Sequence, residues 1–299
     1  MLLILLVSAL SIGALSLAFG LVRAAAKTGE LAPKPEALAL GAVTNFFDTL
    51  GIGSFAPTIA WFRFRRMVPD RLMPLTMLSG YTIPSVLQGV IFLILLGMQV
   101  DPWLLLGCCL AIVAGGYLGV PIAARSPVRA IQAIVGLALL MAAFFYSLSN
   151  LGLMPAGGTA AGLPLSLAIV TVIANFLFGI LLSFGVGNYA PTLAMLSLMG
   201  MDPRLAFPIM AAGAGFAGMA ATARCVGSVR LDWRIVLGLL IGAIPAVLVA
   251  AFIVKEMPLT VLRWLVVVVV TYAGLTLLYS ATRKARLVPP GATEAAATH

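Results

Sequence analysis

Apolar stretches, nearly free of charge, fall at 2–22, 37–62, 72–99, 102–123, 128–149, 163–200, 205–223, 235–254 and 259–281. A run of about 20 mostly apolar residues crosses the hydrocarbon core as a helix, and a helix satisfies its own backbone there. The pattern therefore predicts an all-α integral membrane protein. Residues 2–22 read as a retained helix rather than a signal peptide, because no Lys or Arg precedes the run and it is long enough to cross. The pattern stops after Arg286, and residues 287–299, with Pro289, Pro290 and Gly291, predict a disordered cytoplasmic tail.

Composition agrees. The chain is 62% hydrophobic and 9% charged, with a mean hydropathy of +1.15. A water-soluble surface needs far more charge, so the lipid bilayer is the expected partner of most of this surface. The net charge of +9 is spread over short clusters between apolar runs and reads as topology signals rather than as a nucleic-acid surface.

Those clusters assign sides. Arg23, Lys27 and Lys34 follow the first run, and Arg63, Arg65, Arg66 and Arg71 follow the second. If both clusters are cytoplasmic, the second run does not cross. A re-entrant hairpin satisfies this, with two half-helices meeting at Gly51-Ile52-Gly53. Each half would hold about 12 to 14 residues, roughly 20 Å of helix, too short to span. The loop near Gln99 to Pro102 carries no basic residue, the turn at Arg125 and Arg129 carries two, and 150–162 carries none, giving outside, inside, outside. Re-entry of 163–200 from outside then places Arg224, Arg230 and Arg234 inside, with Arg283, Lys284 and Arg286 and a cytoplasmic C-terminus. A full crossing by 163–184, which is long enough, is the alternative.

The same two runs contain an internal repeat. Gly51-Ile52-Gly53-Ser54-Phe55-Ala56-Pro57-Thr58-Ile59-Ala60 aligns without gaps on Gly185-Val186-Gly187-Asn188-Tyr189-Ala190-Pro191-Thr192-Leu193-Ala194, with six of ten positions identical. The offset of 134 also pairs Met67 with Met201, Pro69 with Pro203 and Pro74 with Pro208. Three crossings between two re-entrant hairpins make the repeats face the membrane in opposite senses, the inverted arrangement of alternating-access transporters. The expectation is one transmembrane domain over 1–286: repeat 1 about 1–126, repeat 2 about 127–255, and a closing helix at 259–281.

Broken backbone in a bilayer must be buried in protein or face a wet cavity. Gly51, Gly53, Gly185 and Gly187 would permit positive φ and close approach, while Ser54 and Asn188 stand where new half-helices would start. Free N–H groups at such starts attract an anion, which makes these residues, with Thr58 and Thr192, the candidate substrate-binding set. Pro57 and Pro191 fall in the first turn, where a missing N–H is tolerated. The competing reading is that the glycines only allow close helix packing.

Asp48 is the acid expected well inside the membrane, either a coupling group for a proton or cation or a brace held by Thr44, Asn45 or Thr49; its repeat mate is Leu182. Asn45 and Asn175 could satisfy opened backbone. Thr76, Ser79, Tyr81, Thr82, Ser85 and Gln88 form a polar seam broken by Pro84, against Gly213, Gly215, Gly218 and Thr222 in the second repeat. Asn45, Ser79, Tyr81, Thr82 and Gln88 are the candidate cavity lining. Arg224 is an anchor or an attractor of anions at the inner mouth. Cys108, Cys109 and Cys225 read as small hydrophobes, and the one histidine is the terminal His299. A metal site, a cofactor and a catalytic dyad all lack their residues, so no enzyme is expected.

The duplicated Gly-Ile-Gly-Ser-Phe-Ala-Pro-Thr and Gly-Val-Gly-Asn-Tyr-Ala-Pro-Thr motifs, with Asn45-Phe46-Phe47-Asp48-Thr49-Leu50 before the first, resemble the sulfite exporter TauE/SafE family of membrane transporters. The hydropathy of nearly the whole chain is similar too. Repeats of that family usually read Gly-x-Gly-Gly-Gly at the break; Ser54 and Asn188 stand where the third glycine is usual. The resemblance implies a bacterial inner-membrane protein that moves sulfite, organosulfonates or related small anions. An anion channel and a membrane assembly or scaffold protein are the rival readings. Oligomeric state, transport direction and coupling ion are not legible in the sequence.

Overall fold

The computed structural model describes residues 2–69, 72–123, 128–153, 158–182, 187–225 and 230–282. Gly185, Arg71, Arg125, the Arg283–Arg286 cluster and the 287–299 tail lie outside them, as does the side chain of Arg224. The described residues are helical almost throughout: α1 (Leu2–Thr28), α2 (Pro35–Thr49), α3 (Phe55–Arg65), α4 (Met73–Leu95), α5 (Pro102–Ala123), α6 (Val128–Asn150), α7 (Leu165–Leu182), α8 (Tyr189–Leu198), α9 (Pro203–Cys225), α10 (Trp233–Glu256) and α11 (Leu259–Thr282). The second and sixth apolar runs are the two that break, into α2–α3 and α7–α8. Among the described residues seven helices, α1, α4, α5, α6, α7, α10 and α11, are long and apolar enough to cross a membrane. The chain is therefore a multi-pass membrane protein by length and composition.

Polarity is distributed as lipid solvation requires. Leu15, Phe19, Phe144, Leu177, Phe252 and Val268 are exposed, while Asn45, Asp48, Thr58, Gln88 and Asn175 are buried. Lipid tails solvate the first set, and the second set must find partners inside the bundle.

Helix crossings rest on small residues. A Cβ on Gly115 would stand 1.9 Å from the Phe176 carbonyl oxygen, one on Gly41 2.3 Å from that of Leu239, and one on Gly242 2.0 Å from that of Leu38. Small residues let helix backbones approach where no hydrophobic effect drives them together.

These contacts also fix directions. α2 runs parallel to α10: the Lys34 N–H donates to the Arg234 carbonyl at 3.0 Å, Ala37 meets Gly238, and Leu38 meets Gly242. α5 runs parallel to α7 in the same manner, with Gly107 on Val172 and Gly115 on Gly179. α4 is antiparallel to α9, as Gly89 meets Ala212, Val86 meets Gly215 and Thr82 meets Gly218. α6 is antiparallel to α11, where Gly136 and Gly274 each approach the other's carbonyl. α1 packs on α4 and α9, with Leu10 on Gly215 and Gly13 on Met219.

Both broken runs fold back on themselves. At the open end of α2–α3, the Arg65 Nε–H donates to Glu36 Oε1 at 2.7 Å, and the Trp61 indole N–H reaches the same oxygen at 3.0 Å. At the open end of α7–α8, the Ala160 N–H donates to the Gly200 carbonyl at 3.3 Å and the Asp202 N–H to the Ala160 carbonyl at 3.0 Å. Start and finish of each hairpin are thus neighbours.

Candidate functional site

The first break is closed by a carboxylate. Asp48, one residue from the end of α2 and 7% exposed, accepts the Ser54 backbone N–H on Oδ1 at 2.7 Å. Gly51 and Gly53 turn the chain between them with φ of 98° and 88°, a region in which a side chain is strained. The positive φ expected at both glycines is therefore present. Asp48 Oδ2 accepts from Gln88 Nε2 on α4 at 3.0 Å, and Gln88 Oε1 accepts from the Tyr189 hydroxyl on α8 at 2.5 Å. One hydrogen-bonded line thus joins the first break, the central helix α4 and the start of the second short helix. The tips also lie close together, since a Cβ built on Gly51 would stand 3.5 Å from Leu193 Cδ2.

A second buried network holds α2 to α3. The Tyr81 hydroxyl on α4 lies 2.9 Å from Thr44 Oγ1 and 2.7 Å from Thr58 Oγ1. Thr44 also reaches the Leu40 carbonyl and Thr58 the Ser54 carbonyl, both at 2.7 Å. Three hydroxyl protons face four short contacts, so at any moment one contact lacks a proton. The network has more than one proton arrangement at the same geometry.

The brace expected for Asp48 comes from other residues than those proposed. Thr44 is taken by Tyr81, Thr49 donates to the Asn45 carbonyl at 2.8 Å, and Asn45 donates to the Gly41 carbonyl at 3.1 Å. Ser54 and Asn188 precede α3 and α8 as expected, yet neither side chain caps its helix. Ser54 offers its backbone N–H to Asp48 instead, and Asn188 Nδ2 donates to the Met210 carbonyl on α9 at 3.1 Å. The start of α3, where an external anion was expected, therefore already faces an anion of the chain itself.

The glycines divide into two kinds. Gly41, Gly115, Gly136, Gly179, Gly242 and Gly274 at the helix crossings have backbone atoms closer than 3.0 Å to a built Cβ, but Gly53 and Gly187 have nothing within 4 Å and Gly51 nothing nearer than 3.5 Å. The glycines of the repeat that are described are thus not packing glycines. Gly51 and Gly53 are required by conformation; a Cβ built on Gly187 would meet no described atom within 4 Å.

The remaining candidates scatter around this centre. Thr82 pairs with Thr222 across the α4–α9 crossing at 2.8 Å. The Ser79 hydroxyl, the Thr192 hydroxyl and Asn45 Oδ1 are buried without a partner. Asn175 donates to the Thr171 carbonyl at 2.9 Å and to Cys108 Sγ at 3.5 Å, a bracing role. Tyr189 and Thr44 belong to the networks but were not among the candidate site residues. The signal for Tyr189 was present, because it adds a hydroxyl where its repeat mate Phe55 has none.

Two surface grooves lie elsewhere. One of about 450 Å³ runs between α2 and α10 and is lined by Val43, Phe47, Pro245 and Val249; another of about 510 Å³ lies by Asp101, Trp103, Leu165 and Ile169. Neither includes a residue of the two breaks. The ion pairs among the described residues are Lys34–Asp232, Arg65–Glu36 and Lys255–Glu256, so the Asp48 carboxylate is held by neutral donors. No protein-family model, curated protein or solved structure matches this chain.

Proposed function

We propose that the protein is a secondary transporter that moves a small anion across the cytoplasmic membrane by alternating access around two re-entrant hairpins. The observation that carries this reading is the link from Asp48 through Gln88 to Tyr189, which ties the tips of both hairpins to one central helix. Three further observations support the inverted repeat. Each hairpin starts and finishes at one place, held by Arg65–Glu36 in the first and Ala160–Gly200 in the second. The helices α4 and α9, mates at the 134-residue offset, run antiparallel, as do α6 and α11. Nine full crossings in sequence would make both of those pairs parallel. On this reading α7 enters only part-way and α9 crosses.

The substrate class implied by the resemblance is sulfite, an organosulfonate or a related sulfur oxyanion, and the membrane is a bacterial inner membrane. The anion binds where α8 starts, at Gly187, Asn188 and Thr192, because that helix start has no acid of its own. Asp48 couples a proton: when it is protonated, the repulsion it offers an anion at the neighbouring tip is relieved.

The test is flux of sulfite and short sulfonates in proteoliposomes, with and without a pH gradient. Wild type is expected to accumulate at least one of them. Gly187→Leu is expected to fold, since a built Cβ meets nothing within 4 Å, and to lose transport. A folded Gly187→Leu protein with wild-type flux contradicts the site, and steady unitary currents in bilayer recordings would favour a channel.

A further inference from the structure

A second group of buried polar atoms lies away from the hairpin breaks, where the ends of α6 and α8 meet the starts of α9 and α11. Tyr146 and Ser197 are 2% and 1% exposed, and their hydroxyls have no polar partner but each other. Ser197 is the polar neighbour of the Tyr146 hydroxyl, and Arg263 and Asp202 lie within electrostatic reach of it. One helical turn beyond Tyr146, both side-chain polar atoms of Asn150 are buried and unpartnered. Arg204 donates through Nη2 to the Met257 carbonyl at 2.5 Å and keeps a buried Nε–H without an acceptor. Asp202, the acid of the group, is engaged at the start of α9, where Oδ1 accepts the Arg204 backbone N–H at 2.9 Å.

Burying a donor without an acceptor is costly, and native proteins leave few of them. Here the donors of Tyr146, Asn150, Ser197 and Arg204 outnumber their acceptors even if Tyr146 and Ser197 bond to each other, and they come from three helices that converge at one end of the bundle. The guanidinium groups of Arg204 and Arg263 bring positive charge to this place, and the Asp202 carboxylate is engaged by the Arg204 backbone. Hydroxyl, amide and guanidinium donors around a positive centre suit a small oxyanion, and a guanidinium matches its oxygens geometrically. On the proposed topology this end faces outward, where the charge bias of membrane proteins disfavours arginine. Arg204 and Arg263 stand there against that bias.

We propose that Tyr146, Asn150, Ser197, Arg204 and Arg263 form an oxyanion-binding site at the outer mouth, separate from the hairpin breaks. It gathers the anion before the tips admit it. The outward placement rests on the topology proposed above; the binding chemistry does not.

The test is equilibrium dialysis of radiolabelled sulfate against the purified full chain in detergent, at fixed ionic strength set with chloride. Wild type is expected to bind saturably. Arg204→Gln should weaken binding at least about tenfold, the value of one charge-assisted hydrogen bond. Arg204→Lys should recover part of that loss, and Lys255→Gln, which removes an exposed charge paired with Glu256, should bind as wild type. Absence of saturable binding by wild type, leaving only water in the cluster, overturns the proposal. So does wild-type binding by Arg204→Gln that elutes and melts normally, or an equal loss of binding in Lys255→Gln. If Arg204→Gln does not fold, the Tyr146→Phe/Ser197→Ala double variant takes its place under the same criteria. Failure of the transporter reading looks different, because sulfate would still bind here while no sulfur oxyanion accumulated in vesicles.

Discussion

The two hairpins share a motif and differ in almost every polar contact. In the first, Asp48 closes the turn onto Ser54, and Thr58 is held by Tyr81 and the Ser54 carbonyl. In the second, the mate of Asp48 is Leu182, the mate of Tyr81 is Gly215, and the Thr192 hydroxyl is buried with no partner. One copy closes its break with its own carboxyl group. The other leaves the Thr192 hydroxyl without a partner and has no acid at its break among the described residues.

That contrast can be broken at matched positions. The largest effect is expected from Gly53→Leu, which forces a branched side chain into φ of 88° and removes transport along with about 1–2 kcal/mol of stability. Gly187→Leu should lose transport with an unchanged melting temperature; an equal fall in both variants would mean that the two glycines serve the same structural purpose. Asp48→Leu comes next, since it strands the Ser54 N–H and the Gln88 amide, at about 1–3 kcal/mol for a buried group left unpaired. Asp48→Asn keeps an acceptor for Ser54 and should fold, while accumulation driven by a pH gradient disappears. Accumulation that persists in Asp48→Asn removes Asp48 from coupling.

Smaller and sharper is the threonine pair. Thr58→Val should cost about 1 kcal/mol in chemical or thermal unfolding, because it removes the contacts to Tyr81 and Ser54. Thr192→Val should be neutral or stabilising, since it replaces an unpartnered buried hydroxyl with a methyl group of the same shape. Equal losses at both positions would show that Thr192 has a structural partner and is not held open for a ligand.

Much of the fold was legible because the bilayer restricts the choices. Apolar runs set the helices to within a few residues at most ends, and Gly51, Gly53 and the basic cluster at Arg63–Arg66 marked the break between α2 and α3 and the end of α3. The partners of Asp48 were not legible. Gln88 is 40 residues away on another helix, and its choice of the carboxylate over its own backbone depends on how α4 is rotated in the bundle. Local expectation favoured Thr44, Asn45 and Thr49, which are near in sequence but bond to Tyr81 or to carbonyls one turn back, as small polar residues in helices commonly do. The outer cluster was missed for a related reason, because Tyr146, Ser197 and Arg204 are unremarkable until three helix ends bring them together.

Both hairpins returning to their own side of the membrane is the claim on which transport by alternating access depends. Single cysteines at exposed positions flanking each hairpin, Ala32→Cys and Arg65→Cys for the first and Ala161→Cys and Leu198→Cys for the second, in a background with Cys108, Cys109 and Cys225 replaced, report it directly. With a membrane-impermeant maleimide on intact cells, the second pair should label at once and the first pair only after permeabilisation. Ala32→Cys and Arg65→Cys labelling from opposite sides would contradict the account, for the first run would then cross the membrane and the two repeats would not be inverted.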